Sequence, residues 1–226
     1  MREHMRLTEL KKRYKDEKVY VIPNKYLFKV PNGFTDISKY NKKQINNFMS
    51  IFENKGFFIP RYDAEYNDAM QQIIPYTIIL NKNESKMYVS YRIDGDPRLN
   101  NVYSLGFGGH INIEDMYSLN NDNYYSLIES AANREIQEEI YIHNNSINKT
   151  LIGFVRDIIS ETKEHFGIIY ALKFNNKISI KETNKLKGKW MSMAKIVDNY
   201  YQFEAWSRYI IDHLFVLHKN NKKLLE

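Results

Sequence analysis

Residues 127–142 constrain this chain more than any other stretch. Leu127, Ile128, Ala131, Ile136 and Ile140 recur at helical spacing and need a buried stripe. Glu135, Glu138 and Glu139 recur at i, i+3 and i+4, which puts three carboxylates on one helix face. Ser126 and Glu129 stand where a capping box would start that helix. Three anions this close repel one another. A solvated acidic face on an ordinary amphipathic helix accounts for the residues taken alone. The Gly108-Gly109 pair upstream shifts the balance towards a site for a hard divalent cation, because Mg²⁺ and Mn²⁺ prefer carboxylate oxygen.

The segments around this helix alternate between strand and helix patterns. Residues 73–80 and 86–93 read as β-rich runs joined by a polar turn, and 101–107 as a strand ending in the Gly-Gly turn. Residues 149–158 and 166–174 read as two more strands. Phe203, Trp206, Ile210, Leu214 and Leu217 mark a terminal amphipathic helix. Ahead of these, 19–22 and 26–30 read as short strands around Pro23-Asn24, 38–54 as a helix, and 57–62 as an extended connector. The pattern predicts an α/β chain: an α/β/α sandwich with a mixed sheet over residues 69–226, and an α+β N-terminal extension, residues 1–68, packing on it.

Composition removes several classes of function. The chain has no cysteine, so it has no disulfide scaffold, thiolate metal site or cysteine nucleophile. No apolar run reaches membrane-spanning length, and the charged N-terminus lacks the apolar core of a secretory signal, which predicts a cytoplasmic protein. The net charge of +6 suits a polyanionic substrate, but much of the excess sits in terminal basic runs that are ordinarily solvated. A nucleic-acid partner is therefore the less favoured reading of the charge, and a homodimer is left open.

The residues at the acidic helix resemble the Nudix hydrolase family. Its signature is Gly, five residues, Glu, seven residues, then Arg-Glu-U-x-Glu-Glu-x-Gly-U, with U a bulky aliphatic. Gly109 takes the first glycine, and Arg134, Glu135, Ile136, Glu138, Glu139 and Ile142 match the second half. Asp115 stands in for the first glutamate, eighteen residues rather than seven before Arg134, and Tyr141 replaces the second glycine. Segments 72–76, 104–112 and 165–167 resemble a bacterial phosphoesterase-like subgroup of the family.

The resemblance implies a divalent-metal-dependent pyrophosphohydrolase with bound Mg²⁺ or Mn²⁺, cleaving the diphosphate linkage of a small nucleotide-derived substrate. It implies Glu135 and Glu139 as metal ligands, Glu138 as ligand or base, and Arg134 as the group that orients Glu135. The Gly108 carbonyl and Asp115 are further metal candidates, as are Glu161 and Glu164 from a later loop. His110 and His165 are candidates for phosphate contact or for the base. Tyr76, Tyr91, Arg92, Arg98 and Phe107 are candidates to line a substrate pocket, and Arg61 and Glu65 would join it if the extension folds over the cleft. Two other readings remain: a nucleotide-binding sensor on the same fold with weak or no turnover, and an RNA 5′-end pyrophosphohydrolase.

Overall fold

The computed structural model describes residues 2–94, 101–117, 124–142, 148–160, 162–174 and 177–225. The chain begins with α1 (Arg2–Tyr14), β1 (Lys18–Pro23), β2 (Gly33–Asp36), α2 (Lys42–Lys55), β3 (Phe57–Pro60) and a one-turn α3 (Arg61–Ala64). Then come β4 (Met70–Leu80), β5 (Lys86–Arg92), β6 (Tyr103–Ser104), β7 (Gly106–Gly108), the short α4 (Glu114–Tyr117) and α5 (Tyr124–Glu139), which carries the three carboxylates. The remainder is β8 (Ile140–Ile142), β9 (Lys149–Arg156), β10 (His165–Lys173), β11 (Ile178–Ile180), β12 (Leu186–Ser192), α6 (Met193–Asp198) and α7 (Ala205–Lys219).

Among the described residues, ten strands form one mixed sheet, ordered β12-β5-β4-β10-β9-β2 along its main path, and β8 pairs with β11 apart from it. The central strand β4 is apolar on both sides, as a doubly covered strand must be. Ile74, Tyr76, Ile78 and Leu80 pack towards Trp206, Ile210, Ile211 and Leu214 of α7. Ile73 alternates to the other face, where α2 and α5 contribute Met49, Phe52, Leu127, Ile128, Ala131 and Ala132. The result is the expected α/β/α sandwich. None of the described helices is long and apolar enough to cross a membrane.

Strand pairing along β4 sets up the site. Parallel β10 occupies one edge from Gln72 to Leu80. The other edge is shared: β1 pairs with Met70–Gln72, β7 with Tyr76–Ile78, and β5 with Leu80. The first strand of the extension is thus hydrogen-bonded into the main sheet. β7 can lie this close because residue 108 is glycine: a Cβ there would fall 2.2 Å from the Pro75 carbonyl oxygen.

Some local expectations change. The predicted strand over 26–30 is instead a 3₁₀ turn at Asn24–Tyr26 followed by turns. Pro23 ends β1, and folding back buries Leu27 and Val30. The predicted helix over 38–54 starts later, at Lys42, because Asn41 and Gln44 form a reciprocal capping box. Likewise α5 already includes Tyr124 and Tyr125, so Ser126 lies within its first turn and is not the N-cap. Its C-terminal end needs no left-handed residue: Tyr141 is absent from the positive-φ positions, and Ile140–Ile142 run straight into β8.

Candidate active site

Arg134 is the organising residue. Its Nε and Nη2 donate to the two oxygens of Asp115 at 2.7 and 3.0 Å, a bidentate pair. Its Nη1 donates to Glu135 at 2.7 Å and to Glu138 at 3.2 Å, and Nη2 also reaches the His110 carbonyl oxygen at 2.8 Å. Burial alone would lower the proton affinity of Arg134, but Asp115 and Glu135 more than offset this and hold it above the ordinary value. Asp115 is 3% exposed, and its Oδ2 also accepts the Asn112 N–H at 2.9 Å. Both of its oxygens are therefore engaged by Arg134.

Glu135 lies against the Gly-Gly turn. A Cβ on Gly109 would come within 2.6 Å of Glu135 Oε1, so only glycine leaves room for the carboxylate as it stands. Burial pushes Glu135 up to about 7, against the pull of Arg134. Burial pushes Glu139 up to about 8; Arg92 opposes this, while Glu135, Glu182 and Glu138 add to it. Glu138 is the outlier, with a side chain 55% exposed.

A cleft of about 210 Å³ opens beside these groups. Its walls include Glu139, Gly108, Gly109, His110, Arg92 and His165, all singled out in the sequence. The rings of His110 and His165 are 5.3 Å apart, edge to face. Tyr76 and Arg61 also line the cleft. Glu164, 1% exposed, and Tyr91, packed on Tyr103 at 5.0 Å, are not among the lining residues. Arg98 and Glu161 lie outside the described residues.

Sequence reasoning missed Glu204 and Trp206, which also line the cleft. Glu204 caps α7: it accepts the N–H groups of Trp206 and Ser207, the Ser207 hydroxyl, and the Tyr76 hydroxyl at 3.0 Å. The Tyr76 oxygen in turn accepts the Gly106 N–H at 2.8 Å. This network ties the α7 N-terminus to the β4–β7 pair. The only local signal was an acidic residue one position before a helical pattern.

The donor set fits a divalent cation on two counts. The carboxylates are hard oxygen ligands, and Glu135 raises the proton affinity of Glu139, a cost that a bound cation would remove. Among the described residues, however, no three His, Asp or Glu side chains converge as a cage. Two buried carboxylates suit Mg²⁺, which is typically held by one or two carboxylates with water and substrate phosphate completing its shell.

No protein-family model matches the chain. Protein YmaB of Bacillus subtilis (strain 168) is 30% identical over 207 residues, covering 88% of this chain and 98% of YmaB. The crystal structure of Tm1382, a candidate Nudix hydrolase, superposes with a TM-score of 0.69 at 22% identity, over 89% of this chain and all (100%) of Tm1382. The chain belongs to the YmaB family and has the Nudix fold. A MutT protein from Methanosarcina mazei Go1 is a more distant likeness, at 20% identity and TM-score 0.46 over 67% of this chain and 95% of its own. On this Nudix fold, Gly109, Asp115 and the Arg134–Glu139 segment assemble as one unit despite the lengthened spacing between them.

Proposed function

We propose that this Nudix-fold protein is a divalent-metal-dependent hydrolase that cleaves the diphosphate linkage of a nucleotide-derived substrate. The observation that carries the reading is the cleft wall itself: Glu139, with raised proton affinity, shares it with Arg92 and the Gly108-Gly109 turn, behind which Arg134 fixes Glu135. Glu139 and Glu135 would hold Mg²⁺ or Mn²⁺, with the Gly108 carbonyl as a further ligand. When bound, the ion supplies charge neutralisation on the diphosphate and acidifies a water.

The protein's own groups do the rest. Arg92 makes no ion pair among the described residues, and its Nε is buried without a partner, so its guanidinium is available to bind phosphate oxygens. Glu138 is the carboxylate with open access to solvent and is the group we assign to take the proton from the attacking water. Arg134 favours the ionised form of Glu135 against its burial and orients it, and Asp115 keeps Arg134 in place. His110 and His165 line the cleft with their rings edge to face. The absence of cysteine suits the reducing conditions of the cytoplasm.

The test is release of phosphate and nucleotide from a panel of dinucleotides, nucleotide sugars and nucleoside triphosphates with Mg²⁺ or Mn²⁺, for wild type and Glu139→Gln. Turnover that needs the metal and is lost in a folded Glu139→Gln supports the reading. No turnover, together with a panel member that raises the melting temperature, would replace it with a nucleotide-binding sensor.

A further inference from the structure

Arg61 reaches the cleft from the N-terminal extension. It stands just after β3, which joins the sheet through β1, whereas Arg92 ends β5. Arg61 comes from the strand pair joined to β4 at Met70–Gln72 and Arg92 from β5, and both line the same cleft as Gly108 and Gly109. These two guanidinium groups are in different electrostatic states. Arg92 has no ion pair among the described residues. Arg61 is bound by two carboxylates: Nη1 to Glu17 at 2.9 Å and Nε to Glu65 at 3.2 Å. Its guanidinium carbon sits 4.2 Å from the centre of the Tyr14 ring.

The consequence is chemical. Glu17 and Glu65 already balance the charge of Arg61, so it is a poor receptor for a second phosphate. What remains is a flat, delocalised plane, immobilised by two ion pairs and backed by an aromatic ring. Nη2 carries no hydrogen bond among the described residues. Such a plane stacks on heteroaromatic rings and donates from its edge to a ring nitrogen or carbonyl. Thr162, His165, Ile74 and Trp206 line the same cleft and give it apolar and aromatic walls with a few polar groups.

We propose that Arg61, backed by Tyr14, is the subsite for the nucleobase of the substrate, so that the N-terminal extension determines selectivity for nucleotides over diphosphates without a base. The proposal rests on the hydrolase reading for the direction of the substrate: diphosphate at Arg92 and Glu139, base at Arg61. The subsite itself can be tested without turnover.

Binding of AMP and of ribose 5-phosphate to the full chain is followed by tryptophan fluorescence, using Trp206 in the cleft, with melting temperature as the folding control. Wild type should prefer AMP by about tenfold or more, the scale of one base stacked on a planar side chain. Arg61→Lys keeps the charge and removes the plane, and should cut the preference to about threefold or less, mainly by weakening AMP. Tyr14→Leu removes the backing ring outside the cleft and should move the ratio the same way, which covers the case in which Arg61→Lys fails to fold. Equal binding of the two ligands by wild type, or an unchanged ratio in a folded variant, overturns the subsite. A base preference that depends on Arg61 in a protein that hydrolyses no diphosphate keeps the subsite and overturns the hydrolase reading. Metal-dependent hydrolysis indifferent to Arg61 does the reverse.

Discussion

Glu139→Gln should stabilise the metal-free protein at alkaline pH and leave it nearly unchanged at acid pH. Burial and its carboxylate neighbours lift Glu139 from the ordinary 4.5 to about 8. The folded state therefore holds its proton more tightly than the unfolded state does. A group of this kind costs the fold nothing below about pH 4.5 and progressively more as pH rises towards the folded value, because the unfolded chain releases the proton first. Each tenfold change in proton affinity is worth about 1.4 kcal/mol, which sets a ceiling of about 5 kcal/mol on the cost of ionised Glu139. Glu135 shares part of that cost and the carboxylate can relax towards water, so about 2 kcal/mol is the expected gain from the neutral isostere at pH 8.5. The assay is urea unfolding in EDTA at pH 4.5 and pH 8.5. Added Mg²⁺ should then stabilise wild type more at pH 8.5 than at pH 4.5, and Glu139→Gln less than wild type at either. A variant that loses stability at pH 8.5, or gains equally at both pH values, would show that Glu139 is not held as a costly buried anion and would refute the electrostatic reasoning behind the metal site.

Gly109→Ala should leave the melting temperature nearly unchanged, because the atom in its way is the movable end of Glu135, yet should lower turnover by about 100-fold through displacement of that carboxylate; steady-state kinetics with a melt decides it. Asp115→Asn leaves Arg134 without its bidentate anion in a buried setting and should cost about 3 kcal/mol by urea unfolding, with a fall in kcat and little change in KM. Phe52→Ala, which removes a fully buried ring packed on Phe48, Phe154 and Phe166 far from the cleft, should cost about 3–5 kcal/mol while the surviving folded protein keeps its KM.

The parts of the fold legible in the sequence were those with long, unmixed periodicity. β4 and β10 are apolar on both faces, and α7 repeats Trp206, Ile210 and Leu214 at helical spacing. β12 reads Leu-Lys-Gly-Lys-Trp-Met-Ser and pairs with β5 at the sheet edge, where exposed lysines and a glycine hide the strand signal. β2 has four residues and β8 and β11 three each, too short for alternation to register. In the site, the carboxylates and glycines were legible because they are close in sequence. Glu204 and Trp206 were not, because nothing near them marks a cleft; only the packing of α7 against β4 brings them there.

Asp115 shows why spacing along the chain can fail while the site still forms. Eighteen residues separate it from Arg134 where the family signature has seven, and it is shorter than glutamate by one methylene. Its position is nevertheless set from the upstream side. Gly106–Gly108 is paired to β4, Tyr20 N–H donates to the Ile111 carbonyl, Val19 bridges to Asn112, and the Asp115 carboxylate closes the turn onto the Asn112 N–H. Four successive anchors thus deliver the carboxylate to Arg134 whatever the length of chain that follows. Lengthening that connection from seven to eighteen residues costs only on the order of 1 kcal/mol in closure entropy. A buried bidentate carboxylate–guanidinium pair, whose loss on removing one partner typically costs roughly 3–5 kcal/mol, outweighs it. The two halves of the signature are therefore independent in sequence and joined in space, and Asp115 reaches Arg134 without a fixed number of residues between them.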